Sequence, residues 1–198
     1  SENFVGPSIY FHHKTLQQRS KHSDIESLLK DDLYYDYIYA TLASWGMHRM
    51  GPGNTKLVDI EDMKNSIKLT IPALKMLWGK SIYDLKESQI ADIVNIIWNI
   101  FVNINISVAE VKIVACSKAL HHILPSLVPP IDRSYTYNFF YNRTMLSITE
   151  KEALGEMYSM MYRIAIANKK NINCWVGKGF NTSITKVIDN AIMGFVMD

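Results

Sequence analysis

The sequence is poor in cysteine, with Cys116 and Cys174 the only two among 198 residues. That excludes a disulfide framework and a paired-cysteine zinc knuckle, and Cys116, inside an apolar run, reads as a small buried hydrophobe. Charge of one sign is lacking too. A formal net charge of +2 does not mark a nucleic-acid binder, which would have to gather its basic residues on one face. Long apolar runs are missing as well. The longest, Ile90 to Ile106, is interrupted by Asp92, Asn95, Asn99 and Asn103 and falls short of the ~20 apolar residues of a membrane span. The first residues lead straight into polar sequence without a signal-like apolar stretch. The expectation is a cytoplasmic protein without membrane association.

Phosphate-loop glycines are also absent. Gly46, Gly51 and Gly53 lie close together, but no strand precedes them and their spacing fits neither a phosphate loop nor a dinucleotide fingerprint. They form a loop between helices that can bring backbone close to a ligand, with Trp45, His48 and Arg49 as candidate binding groups.

What is present is helical periodicity. A hydrophobic fraction of 48% with 20% charged residues fits a globular core, read as one all-α domain over 1–198 with residues 1–22 as a candidate peripheral helix. About eight or nine helices are expected by apolar spacing and capping signals. They surround a central helix over 89–103, in which Ile90, Ile93, Val94, Ile97, Trp98 and Phe101 leave only a narrow polar stripe. His12 and His13 point about 100° apart on a helix and read as part of a solvated basic face. Thr149 caps a long helix to about Asn168, and residues 169–180 read as a polar loop. The last helix, Ser183 to Met197, places Lys186 and Asp189 three residues apart as an apparent surface pair.

The chemistry-bearing stretch runs from Val111 to Phe140. On its first helix Ile113, Cys116, Leu120 and Leu124 form one apolar face, while Lys118 lies among Val111, Val114 and Ala115 with His122 one turn on. Burial disfavours the charged form of a lysine, and a neutral amine is a usable nucleophile. The turn from Pro125 to Pro130 reverses the chain and brings the Asp132 carboxylate back toward it. An amine and a carboxylate converging from neighbouring helix ends suit chemistry at the anomeric carbon of a sugar. From the residues alone they suit better a structural ion pair in which Asp132 caps the helix beginning Arg133-Ser134-Tyr135. His121 and His122 read as partly buried polar residues rather than metal ligands, since no carboxylate or cysteine stands at ligand spacing on their helix. No metal and no cofactor are expected.

The run Val128-Pro129-Pro130-Ile131-Asp132-Arg133-Ser134-Tyr135-Thr136 resembles the helix-hairpin-helix DNA glycosylase superfamily. In that family a catalytic aspartate heads a helix soon after a lysine-bearing one. The glycine hairpin that precedes the family's lysine is replaced here by Ile104-Asn105-Ile106-Ser107-Val108-Ala109-Glu110, without a glycine. The resemblance implies an all-helical fold and DNA as partner. It implies Asp132 as catalytic carboxylate and Lys118 as Schiff-base amine. Trp45, His48, Arg49, His121, His122, Arg133, Tyr135 and Tyr137 are the candidate substrate-binding residues, aromatics among them available to hold an extruded base. The alternative is a non-catalytic helical regulatory or interaction module in which Lys118 and Asp132 are architectural.

Overall fold

The structure is a computed structural model that describes residues 6–48 and 56–197. Among them are eleven α-helices and no strand, so the all-α class holds with more helices than spacing alone suggested. The described chain begins with α1 (Pro7–Arg19), opened by Gly6 and by a proline in the first turn, where a backbone N–H would have no intrahelical acceptor. A short α2 (Ile25–Leu28) follows, with Asp24 accepting from the Ser27 amide at 2.8 Å. Then comes α3 (Asp32–Leu42), capped by Asp31. α3 ends in a widened turn, Ala43–Met47, where Gly46 sits at φ +88°. A side chain there would be strained, although nothing crowds the position.

Asp59 caps α4 (Ile60–Leu69), and Pro72 falls in the first turn of α5 (Ile71–Leu77). The central helix is α6 (Ile90–Asn103), with Ile97, Ile100 and Phe101 at 1% exposure or less. After it the chain is extended. Ile106 accepts from the Val58 amide at 3.2 Å and Val108 donates to Lys56 at 3.0 Å, so residues 104–108 run beside residues 56–58.

Next come α7 (Ile113–Ile123), a widened turn at Arg133–Tyr137 and the short α8 (Asn138–Tyr141). α9 (Glu150–Ala167) opens with a complete capping box. The Thr149 hydroxyl receives the Glu152 amide, and Glu152 receives the Thr149 amide at 3.0 Å. Residues 169–175 form α10 (Lys169–Trp175) where the sequence suggested a loop. Only Ile172 is buried in it, too little to create an apolar period. α11 (Ile184–Met197) closes the bundle against α8, α9, α10 and the turn at Arg133–Tyr137. No helix among the described residues is long and apolar enough to cross a membrane.

α1 is not peripheral in its packing. It lies along α3 and touches α7, and His12 and Thr15 are fully buried. The solvated basic face expected there therefore excludes His12, whose side chain enters the interior. His13 stays exposed.

Two substitutions test this account by thermal unfolding. Thr149→Ala removes the side-chain arm of the box and is expected to cost about 1 kcal/mol, or about 2–4 °C in Tm. Ile97→Ala opens a hole in the central helix and is expected to cost about 2–5 kcal/mol. Equal, small effects would contradict the central position of α6.

Candidate functional site

Two prolines give the site its shape. Pro129 and Pro130 have no amide hydrogen and fixed backbone angles, so the chain leaving α7 turns back on itself without a helical or sheet partner. The first free amide after them, Ile131, donates to the Ser117 hydroxyl on α7 at 3.0 Å. This clamp lays Asp132 beside the next residue of that helix. Lys118 Nζ donates to Asp132 Oδ2 at 2.9 Å. The Lys118 side chain is 11% exposed and that of Asp132 31%. The other carboxylate oxygen, Oδ1, receives the Ser134 amide at 2.8 Å and starts the Arg133–Tyr137 turn. Burial works to push the Asp132 carboxyl up, but the Lys118 charge and hydrogen bond, with the Ser134 and Tyr135 amides, hold it below the usual carboxylate range.

The pair faces a cleft of about 380 Å³. One wall is the Ala43–Met47 turn, contributing Ser44, Trp45 and Gly46, with His48 and Ser8 beside it. Pro130, Ile131 and Tyr135 form another wall. α11 supplies the third through Lys186, Asp189 and Met193. Lys186 and Asp189 are 2% and 4% exposed and hydrogen-bonded to each other, so the surface pair expected from spacing is a buried ion pair in the cleft wall. The i, i+3 spacing is the same for either fate. Burial follows because Trp45 and Phe180 cover this face of α11, with the Lys186 ammonium 5.1 Å and 4.3 Å from their ring centres. Burial raises the Asp189 carboxyl above its ordinary value against the opposing pull of Lys186.

Behind the lysine lies a string of histidines. His122 Nδ1–H donates to the Lys118 carbonyl at 2.8 Å, which leaves Nε2 to accept from His12 Nδ1–H at 2.9 Å. His12 Nε2 in turn accepts from the Thr182 hydroxyl at 2.7 Å. Each ring is thereby a neutral tautomer. His121 Nδ1–H donates to the Val128 carbonyl at 2.8 Å, and its Nε2 is buried without a hydrogen-bond partner. All three rings are wholly buried. Desolvation first, and neighbouring histidines and Lys186 next, drive His12 and His121 far below the usual imidazole range. Burial, countered by the hydrogen bond to Lys118, lowers His122 to about 4. Trp45 stacks on His12 with centres 5.4 Å apart, which ties the cleft wall to this string.

The candidates from sequence thus divide. Lys118, Asp132, Trp45, His48 and Tyr135 line the cleft. His48 is exposed and anchored by Nδ1–H donating to the Ala43 carbonyl at 2.6 Å. His121 and His122 stand behind the wall, fully rather than partly buried. Arg133 and Tyr137 face a separate depression with Val111, Met145 and Glu150. Arg49 lies outside the described residues. Lys186, Asp189 and His12 were not identified as site residues from sequence, because their positions depend on which elements cover them. No cluster of metal-ligating side chains occurs among the described residues. No known protein family, curated protein or solved structure matches this chain.

The histidine string predicts acid sensitivity. A base whose folded pKa is depressed binds its proton first in the unfolded state, where histidine titrates near 6.5. Stability from His12, His121 and His122 is thus fully present above about pH 6.5 and is lost as pH falls toward 4. The upward shift of Asp189 works in the opposite direction. Chemical unfolding at pH 7.5, 5.5 and 4.5 should show stability falling with acid by more than one proton per molecule. A flat profile over that range would contradict neutral, buried histidines.

Proposed function

We propose that the cleft accepts a nucleobase extruded from DNA together with its sugar, and that Lys118 and Asp132 act at the anomeric carbon as a glycosylase and lyase. The observation that carries this reading is the 2.9 Å contact between an amine and an ionised carboxylate at the wall of a cleft. Trp45 and Tyr135 in the same cleft offer aromatic surface for a base. The lining balances two lysines against two aspartates, which suits a neutral base and sugar better than a phosphate group.

The bond between the sugar C1′ and the base nitrogen breaks, its electron pair leaving with the base, which takes a proton given up by Lys118. Asp132 faces the positive charge that develops at C1′. The neutral Lys118 amine then bonds to C1′ and passes a second proton to Asp132. The C1′–O4′ bond opens with its pair on O4′, which recovers that proton from Asp132, and a carbon–nitrogen double bond links sugar and lysine.

A second reading is favoured by the Asp132 Oδ1 bond to the Ser134 amide, since a carboxylate that caps a turn and neutralises a lysine can be wholly architectural. In that case the chain is a helical regulatory or interaction module.

Borohydride trapping separates the two. On duplexes carrying an abasic site or a panel of damaged bases, the enzymatic reading expects a covalent protein–DNA adduct that disappears in Lys118→Ala. Absence of adduct on every duplex, with no salt-dependent DNA binding, would remove it. Asp132→Asn keeps an oxygen for the cap but leaves the nearly buried Lys118 ammonium without its counter-charge. Denaturant unfolding of this variant should show a loss of about 1–3 kcal/mol. A variant as stable as the parent would mean the pair is not formed.

A further inference from the structure

The second lysine–aspartate pair is hard to explain as a device for stability. Removing two opposite charges from water is expensive, and apolar residues of similar volume usually serve a helix interface as well or better. Yet Lys186 and Asp189 are almost fully enclosed, and both line the cleft that holds Lys118 and Asp132. Their orientation is fixed from several sides. The Ser183 hydroxyl accepts the Lys186 amide at 3.2 Å in the first turn of α11, and the ammonium lies over Trp45 and Phe180. Asp189 accepts from Lys186 through Oδ2 alone among the described residues. Its field also reaches Lys118 and Asp132, so the two pairs are close neighbours.

We infer that Lys186 and Asp189 form a recognition pair for the hydrogen-bonding edge of a planar heterocycle held in the cleft beside Trp45. The ammonium is a donor with no acceptor capacity and an ionised carboxylate is an acceptor with no donor. Set side by side, they complement a ring edge that offers an acceptor next to an N–H, as nucleobase edges do. Around so enclosed a pair, charged hydrogen bonds discriminate strongly, because a ligand lacking the matching edge leaves buried charge unsatisfied. Lys118 and Asp132 then face the sugar, and α11 reads the base. This inference rests on the cleft admitting a nucleobase, as proposed above.

Calorimetric titration of the intact protein with three small probes tests it. Each probe is methylated on its five-membered ring to block the N–H there: hypoxanthine then carries a single carbonyl beside an N–H, 1-methylhypoxanthine has that N–H capped, and benzimidazole has a ring system with neither group. Hypoxanthine is expected to bind at least tenfold more tightly than either of the others. In the double variant Lys186→Met with Asp189→Leu, which removes both charges together, hypoxanthine should fall to the level of benzimidazole. Equal binding of the three probes by the parent protein, or no binding of hypoxanthine, overturns the inference even if the Lys118 adduct is trapped. Discrimination without an adduct sustains the recognition pair and removes the proposed chemistry instead. Should the double variant fail to fold, the comparison of hypoxanthine with its methylated form on the parent protein still decides.

Discussion

The clamp that holds α7 against the head of the Arg133–Tyr137 turn, and so brings Lys118 to Asp132, is the constraint on which the cleft depends. Every nearby interaction serves to keep the two ends together. Ser117 grips the Ile131 amide, Asp132 donates its own amide to the Thr136 hydroxyl at 3.0 Å, and Tyr158 donates to the Leu127 carbonyl at 3.1 Å from α9. The proline pair makes the reversal stiff, so few backbone states have to be excluded on folding. An ion pair with one partner a third exposed would contribute little by itself. Here the geometry is set by the surrounding backbone, and the pair occupies a place already prepared for it.

The histidine string has the same logic one layer deeper. Helix interiors normally exclude three imidazoles, since each must find partners or lose hydration. His12, His122 and Thr182 satisfy one another in a single direction that ends on the Lys118 carbonyl. α1, α7 and the segment before α11 are thereby joined behind the lysine. Trp45 stacks on His12 and lies beneath Lys186, so the cleft wall and the string are one packed unit. Displacing any ring would move the base of the cleft.

Much of the helical frame could be read directly from residues. The apolar spacing of 89–103 and the Thr149 cap each have a local cause, and local causes survive into the fold. The approach of Asp132 to Lys118 was legible for a similar reason, because two prolines leave the intervening chain few alternatives. What was not legible depends on long-range cover. Lys186 and Asp189 look the same in sequence whether water or Trp45 and Phe180 lie against them. His12 joins residues 110 positions away, which no helical period foretells. Arg133 adjoins Asp132 in the chain yet faces another depression, because the widened turn between them and α8 rotates successive side chains apart. α10 was missed because its one buried residue gives no pattern.

Two carboxylates share one cleft, each matched to a lysine, with environments that drive their titrations apart. Carbon-13 NMR titration of the Asp132 and Asp189 side-chain carboxyls tests this most directly. Asp132 should titrate below the ordinary aspartate value and Asp189 above it. Two carboxyls titrating together at the ordinary value would place both in open solvent and contradict the account.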